Sequence, residues 1–167
     1  ILMRRGLDTE DKLSHFLYDD LSDLSDPFLM KGMKEGVTRL LSAIDRREKI
    51  VVYGDYDVDG ITSTSILVRC LKGMGADVGY YIPRRETEGY GLNEKALLSL
   101  RKEGYTLLIT VDCGISSAEL IARKPEGLDI IVTDHHTPPE QLPACIAVIN
   151  PHQKDCPYPY KELAGCG

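Results

Sequence analysis

No stretch of this chain is apolar for long enough to cross a bilayer. The longest such runs, Ile50–Tyr53 and Leu107–Val111 among them, fall far short of the roughly 20 residues that a spanning helix needs. No basic-then-apolar segment opens the chain, so no secretory signal is expected. There is no C-x-x-C, and the five cysteines, Cys70, Cys113, Cys145, Cys156 and Cys166, are odd in number and irregularly spaced. That argues against a disulfide framework and for reduced thiols in a cytoplasmic protein. A zinc site built from His152, Cys156 and Cys166 matches no zinc-ligand spacing; the plainer reading is a loop with two incidental thiols. Internal repeats and low-complexity segments are absent, and a charged fraction of 28% is ordinary, which excludes wholesale disorder. A basic excess is also missing. The net charge is −6 and the pI near 5.2, which taken alone argues against nucleic-acid binding.

The acid is concentrated, however. Five aspartates, Asp55, Asp57, Asp59, Asp112 and Asp134, account for nearly all of the imbalance. If a polyanion is bound, the broad basic surface for it is expected outside this chain. At 167 residues and 43% hydrophobic, the chain suits one domain with a small N-terminal attachment. It begins without Met and ends at Gly165-Cys166-Gly167, and so reads as a piece of a longer protein.

Residues 8–18 read as a short helix with Leu13, Phe16 and Leu17 on one side, and residues 19–26 as an acidic turn. Asp26-Pro27 has the form of a helix start, Asp as N-cap and Pro at the first helical position. Met33, Val37, Leu40, Leu41 and Ile44 then share one helical face, and Arg46 and Arg47 suit the C-terminal dipole. Residues 1–48 thus form a helical segment, and 49–167 a second unit of different texture.

In that second unit, strands are expected at Ile50–Tyr53, Asp77–Ile82, Thr106–Val111, Asp129–Thr133 and Cys145–Ile149. Between them lie three helical patterns. One spans 62–73 with Ile66, Leu67, Cys70 and Leu71 inward. The next is capped by Asn93, carries Ala96, Leu97 and Leu100, and stops near Gly104. The last opens on a Ser116…Glu119 capping box. Such alternation means an α/β fold, a parallel sheet with helices on both faces. The strands are continuous apolar runs, as buried parallel strands are.

Ligands of open parallel sheets bind at the carboxyl ends of the strands. Three strands here end in acid there: Gly54-Asp55-Tyr56-Asp57-Val58-Asp59-Gly60, Val111-Asp112-Cys113-Gly114 and Thr133-Asp134-His135-His136. One such loop is ordinary, since Asp often caps the following helix. Three at one edge repel one another unless cations neutralise them. Five aspartates with two histidines offer mixed oxygen and imidazole ligands. These suit Mn²⁺ or Mg²⁺ better than Zn²⁺ or Fe²⁺, and the imidazoles favour Mn²⁺. Two ions about 3.5–4 Å apart would form the clamp used in phosphoryl displacement. Asp55-x-Asp57-x-Asp59-Gly60 opens like an EF-hand. The twelfth position, which must be Glu, is Ile66, and the preceding segment is a strand, so that reading fails. A dinucleotide fold fails too, because no G-x-G-x-x-G follows the first strand.

These residues resemble a known family. Asp134-His135-His136 is similar to the signature of the DHH phosphoesterases. Asp55–Gly60 and Val111–Gly114 resemble their first two motifs in the form of the RecJ-type branch, single-strand-specific 5′→3′ exonucleases. Pro83-Arg84-Arg85-Glu86-Thr87-Glu88-Gly89-Tyr90-Gly91-Leu92 is similar to that branch's P-x-R-x-x-E-G-Y-G segment, and the likeness continues into Asp26-Pro27-Phe28 and Leu163-Ala164-Gly165. It implies a metal-dependent exonuclease that hydrolyses single-stranded DNA to 5′-mononucleotides in repair and recombination, with DNA and possible replication or repair proteins as partners. By the same resemblance Asp57, Asp59, Asp112 and His135 bind metal, Asp112 as the bridge. Asp55 and Asp134 are ligands or orient them, and His136 faces the scissile phosphate. Arg85 would grip a phosphate and Tyr90 stack on a base or sugar. Against these last two stand an Arg85 pair with Glu86 or Glu88, and a Tyr90 that only packs its loop. Cys113 reads as packing, not as a nucleophile. The family carries a further metal-binding Asp beyond this chain, so residues 1–167 alone are expected to bind metal weakly and cleave little. The alternatives are a relative acting on short oligonucleotides, cyclic dinucleotides or pyrophosphate, and a metal-free scaffold.

Overall fold

The runs expected to be strands pair into one sheet. The computed structural model describes residues 1–18, 20 and 24–167. Its strands are β1 (Lys49–Tyr53), β2 (Asp77–Tyr81), β3 (Leu107–Thr110), β4 (Asp129–Thr133) and β5 (Ala147–Ile149), and its helices are α1 (Glu10–Tyr18), α2 (Met33–Asp45), α3 (Val58–Gly73), α4 (Glu94–Lys102) and α5 (Ala118–Ala122). The strand order is β2-β1-β3-β4-β5, and every pairing is parallel. From β1 the chain moves to one side to form β2 and then returns to the other side for β3. The crevice of the sheet therefore opens between the carboxyl ends of β1 and β3.

Period-two alternation sorts each strand between two cores. Ile50 and Val52 of β1, with Leu107 and Ile109 of β3, face Ala43 of α2 and Val68 and Leu71 of α3. Val51, Tyr53, Leu108, Ile130 and Val132 face Leu97 and Leu100 of α4 and Ile121 of α5. Each fully buried aliphatic side chain contributes about 1.5–3 kcal/mol, which is why short strands suffice. The expected α/β architecture is present. Asn93 caps α4 as expected, its Oδ1 accepting the Ala96 N–H at 2.8 Å.

Several local expectations need correction. The helix expected from Asp26 is broken. Asp26 does cap, accepting the Phe28 N–H at 2.9 Å, but only a 3₁₀ turn over Pro27–Leu29 follows. The chain then turns at Gly32, whose φ is 86°, before α2 begins. A Cβ at Gly32 would stand 2.3 Å from the Val148 carbonyl oxygen, so the break lets α2 settle on β5. Leu41 lies outside the packed face of α2, at 45% exposure. Helix α3 starts four residues before the expected 62 and presents Gly60, Ser63, Thr64, Val68 and Leu71 to the sheet. Ile66 and Cys70 are instead exposed. Ser116 does not cap α5; the N-cap position is Ser117, without a side-chain cap hydrogen bond. The apolar side of α1 stays largely open, with Phe16 and Leu17 exposed and Leu13 partly buried. Of the acidic turn expected over 19–26, residues 19 and 21–23 lie outside the described residues.

Candidate metal centre

The register of three adjacent strands sets out the site. Tyr53 of β1 is level with Thr110 of β3, and Thr110 with Val132 of β4. Two residues further along each strand stand Asp55, Asp112 and Asp134, all buried. A row of three carboxylates thus crosses the carboxyl edge at the crevice.

The first loop adds Asp57 and Asp59. Asp57 is the N-cap of α3 and accepts the Gly60 N–H at 2.9 Å; that hydrogen bond holds its pKa below the usual carboxylate range, outweighing burial. Gly60 is required here because a Cβ would meet the backbone of Asp55 at 2.4–2.6 Å. The early start of α3 and its small inner face have the same cause, since the helix N-terminus presses onto the strand end that carries Asp55.

The second loop is strained. Asp112 has φ 62°, unusual for a residue with a side chain, and the surrounding core holds it there. Both of its carboxylate oxygens are buried without a hydrogen-bond donor, as is Oδ1 of Asp55. His135 Nε2 approaches Asp112 Oδ1 to 3.0 Å without the alignment of a hydrogen bond, and Asp59 Oδ2 lies 3.8 Å from the same nitrogen. Burial, with the neighbouring Asp57 carboxylate, raises the Asp112 pKa to about 7. Burial likewise pushes Asp55 up. Buried carboxylates are stable when paired or metal-bound, and among the described residues neither of these has a lysine or arginine in a salt bridge to it.

The third loop is fully hydrogen-bonded. Asp134 Oδ2 accepts the Ile115 N–H at 2.9 Å. Its Oδ1 accepts the N–H groups of His135 and His136 at 2.8 and 3.1 Å and lies 2.7 Å from His136 Nδ1. Burial lowers the proton affinity of His136, but the hydrogen bond and charge of Asp134 outweigh it, and the pKa is raised.

Ligand atoms fall into two groups. Asp55, Asp57 and Asp112 form one, and Asp112, His135 and His136 the other, with the donor atoms in each within 4.8 Å of one another. Asp112 belongs to both. Carboxylate oxygens with imidazole nitrogens, three of those oxygens buried without a hydrogen-bond donor, fit a pair of hard divalent cations. His152, Cys156 and Cys166 form no such group among the described residues, and Cys156 Sγ is taken by the Lys31 N–H at 3.5 Å. Cys113 is fully buried, and burial first, then the nearby aspartates, drives its pKa well up, so it carries no thiolate.

Arg85 and Tyr90 both reach this edge. The Arg85 guanidinium lies over the Tyr56 ring at 5.4 Å, and its charge opposes, without overcoming, the burial that raises the pKa of Asp55. Glu88 is engaged by Tyr81, Asn93 and the Arg84 N–H, and not by Arg85. The Tyr90 hydroxyl donates to the Asp112 carbonyl at 3.2 Å and lies 3.4 Å from His136 Nδ1.

Sequence reasoning missed Asn150 and Gly165. Asn150 is fully buried just past β5 and donates to the His136 carbonyl at 2.9 Å; its place at the carboxyl end of a strand was the available signal. A Cβ at Gly165 would come within 2.8 Å of Asp112 Oδ1; the Leu163-Ala164-Gly165 likeness marked the residue but not this closeness.

A doubly covered parallel sheet with two candidate ligand groups sharing one carboxylate at its switch point is the arrangement of a DHH-family domain. A model of the DHH family, N-terminal domain, matches residues 49–167, and the chain belongs to that family. Over 168 aligned residues it is 49% identical to the single-stranded-DNA-specific exonuclease RecJ of Bacillus subtilis, covering 100% of this chain and 21% of that protein. The RecJ of Haemophilus influenzae is 41% identical over 88% of this chain and 26% of its own length. The crystal structure of exonuclease RecJ bound to manganese superposes with a TM-score of 0.75 at 38% identity, over 86% of this chain and 37% of that one. The chain thus spans about a fifth to a quarter of the length of these two curated relatives.

Proposed function

We propose that this chain is the metal-holding part of an exonuclease that hydrolyses phosphodiester bonds of single-stranded DNA from the 5′ end to 5′-mononucleotides, in DNA repair and recombination. The observation that carries this reading is the Asp112 carboxylate, buried, without a hydrogen-bond donor and common to both ligand groups. Similarity to the single-stranded-DNA-specific exonuclease RecJ supports the substrate, the RecJ-type motifs imply the 5′→3′ polarity, and the manganese in a RecJ structure supports Mn²⁺, with Mg²⁺ as the other suitable ion. The unit at 49–167 carries the chemistry, and α2, from the helical segment 1–48, packs on one face of its sheet. Among the described residues no helix is long and apolar enough to cross a membrane. The unpaired cysteines support a cytoplasmic setting.

Asp55 and Asp57 would hold one ion, His135 and Asp59 the other, and Asp112 would be shared between them. When bound, such a pair supplies an activated water and neutralises phosphate charge. Asp134 orients the loop and fixes the His136 ring through Nδ1. The other ring nitrogen of His136 then serves the scissile phosphate, and its raised proton affinity suits a charged donor to a phosphoryl oxygen. Arg85 stands beside the acid cluster as a phosphate clamp, and Tyr90, half-exposed, offers a ring face to the strand.

The test uses the polypeptide at its natural length, with Mn²⁺ and oligonucleotides labelled at either end. Early release of labelled mononucleotide from the 5′ end, absent in Asp112→Ala, is expected. Turnover of dinucleotides or pyrophosphate with long strands untouched would reassign the substrate; no turnover with no metal uptake would make the chain a scaffold.

A further inference from the structure

The segment carrying Arg85 and Tyr90 has no regular structure of its own. It leaves β2 at Pro83 and reaches α4 at Asn93, with Gly89 and Gly91 in left-handed conformations on either side of Tyr90. Such a segment has many accessible shapes. One is selected by a set of hydrogen bonds centred on Glu88.

Glu88 Oε2 accepts the Arg84 N–H at 2.8 Å, closing a helical turn in which the Glu88 N–H also reaches the Arg84 carbonyl. Its Oε1 accepts the hydroxyl of Tyr81, at the end of β2, and the Asn93 amide at 3.3 Å. Asn93 is itself fixed, capping α4 with its oxygen and donating to the Tyr53 hydroxyl at 3.2 Å. Tyr53, the last residue of β1, donates to the Gly91 carbonyl at 2.9 Å. Tyr81 and Tyr53 stack with ring centroids 5.1 Å apart. Tyr90 therefore hangs between two anchors, Glu88 two residues before it and Gly91 one residue after, each tied to a sheet tyrosine. Its hydroxyl then falls on the Asp112 carbonyl, and its ring meets His136 edge-on at 6.1 Å.

We propose that Glu88 is a positioning residue for the reaction, holding Tyr90 against His136 and Asp112 and Arg85 beside Asp55. This deepens the nuclease reading and rests on it for its kinetic consequence, though not for its geometric one. Glu88 touches neither ligand group and no reacting atom. Its carboxylate charge is satisfied inside the latch, so it is not a further metal ligand.

Two measurements test the latch. On residues 1–167 without metal, the His136 Cε1–H resonance is expected to move in Glu88→Ala as it moves in Tyr90→Ala, and to stay near its native position in Glu88→Gln, which keeps the shape and an acceptor oxygen. A resonance unmoved in Glu88→Ala overturns the proposal whether or not the protein is a nuclease. On the polypeptide at its natural length, Glu88→Ala is expected to lower kcat about tenfold or more, because small misplacements of a reacting constellation are costly. Glu88→Gln should recover most of that loss, and Mn²⁺ affinity should be unchanged in both. In a Tyr90→Ala background the Glu88→Ala loss should largely vanish, since the two act through one contact. A full additional loss in that background, as simple destabilisation would produce, overturns the proposal. A moved resonance with no cleavage by the native protein would sink the nuclease reading and leave the latch standing.

Discussion

The two ends of the sheet treat acid in opposite ways. At the amino edge, Arg39 of α2 donates to Glu48 at 2.6 Å and to Asp129 at 2.7 Å, and Thr106 donates to Glu48 at 2.8 Å. Every carboxylate in that cluster has a partner supplied by the chain. At the carboxyl edge, Asp55, Asp57, Asp59 and Asp112 gather with no lysine or arginine in a salt bridge to any of them, among the described residues. The same chemical group stabilises the fold where it is neutralised from within. Where it is left for outside cations, it costs stability in exchange for a site.

The sharpest way to break this contrast is at Asp112. Asp112→Ala should abolish measurable Mn²⁺ binding and lower cleavage by at least about 10³-fold, as loss of a principal electrostatic element of an active site does. Asp112→Asn should also be inactive. Yet without metal it should melt above the native protein, by on the order of 1–3 kcal/mol, because it removes an unpaired buried charge. Calorimetry with and without Mn²⁺ checks both halves. A metal-free Asp112→Asn that is less stable than native would show that the carboxylate is already satisfied.

Arg39→Ala inverts the experiment. It leaves two part-buried carboxylates without their cation and should cost about 1–3 kcal/mol of folding stability, with Mn²⁺ affinity unchanged. Denaturant unfolding and metal titration on one sample decide it.

A smaller effect concerns pH. Burial alone would push Glu48 up, but the hydrogen bonds from Arg39 and Thr106 outweigh it and hold its pKa below the ordinary value of 4.5. A depressed acid contributes stability that is fully present above 4.5 and lost as pH falls through the folded pKa. Melting temperatures of native and Glu48→Gln proteins should therefore converge below pH 4.5 and separate above it. The smallest effect is expected at Cys113, where replacement by Ala should change cleavage less than about threefold; a large loss would mean that the thiol takes part in chemistry after all.

Much of this contrast was legible from residue types. The β1, β3 and β4 strands show as continuous apolar runs, and Asp55, Asp112 and Asp134 show as acids directly after them. What stayed hidden obeys a different physics. Helix α3 was misplaced because hydrophobic periodicity favours Ile66 and Cys70, whereas close approach to Asp55 selects Gly60, Ser63 and Thr64 for the inner face. Helix α2 was drawn too long because the Asp26 cap is genuine, yet the turn at Gly32 is set by distant Val148. Glu88 looked like a partner for Arg85 by spacing, and only the fold brings Tyr81 and Asn93 to it.

The level row of Asp55, Asp112 and Asp134 makes the strands a ruler. Residues in β3 are buried on both faces, so deleting one would still leave an apolar strand able to pair. It would nonetheless carry Asp112 back by one place and turn its side chain to the opposite face, while Asp55 and Asp134 stayed where they were. Insertions and deletions should therefore be tolerated in the turns at the amino edge, away from Glu48, Thr106 and Asp129, where no ligand position is at stake. Between the start of β1, β3 or β4 and its aspartate, by contrast, the count of residues is itself a functional property of the chain.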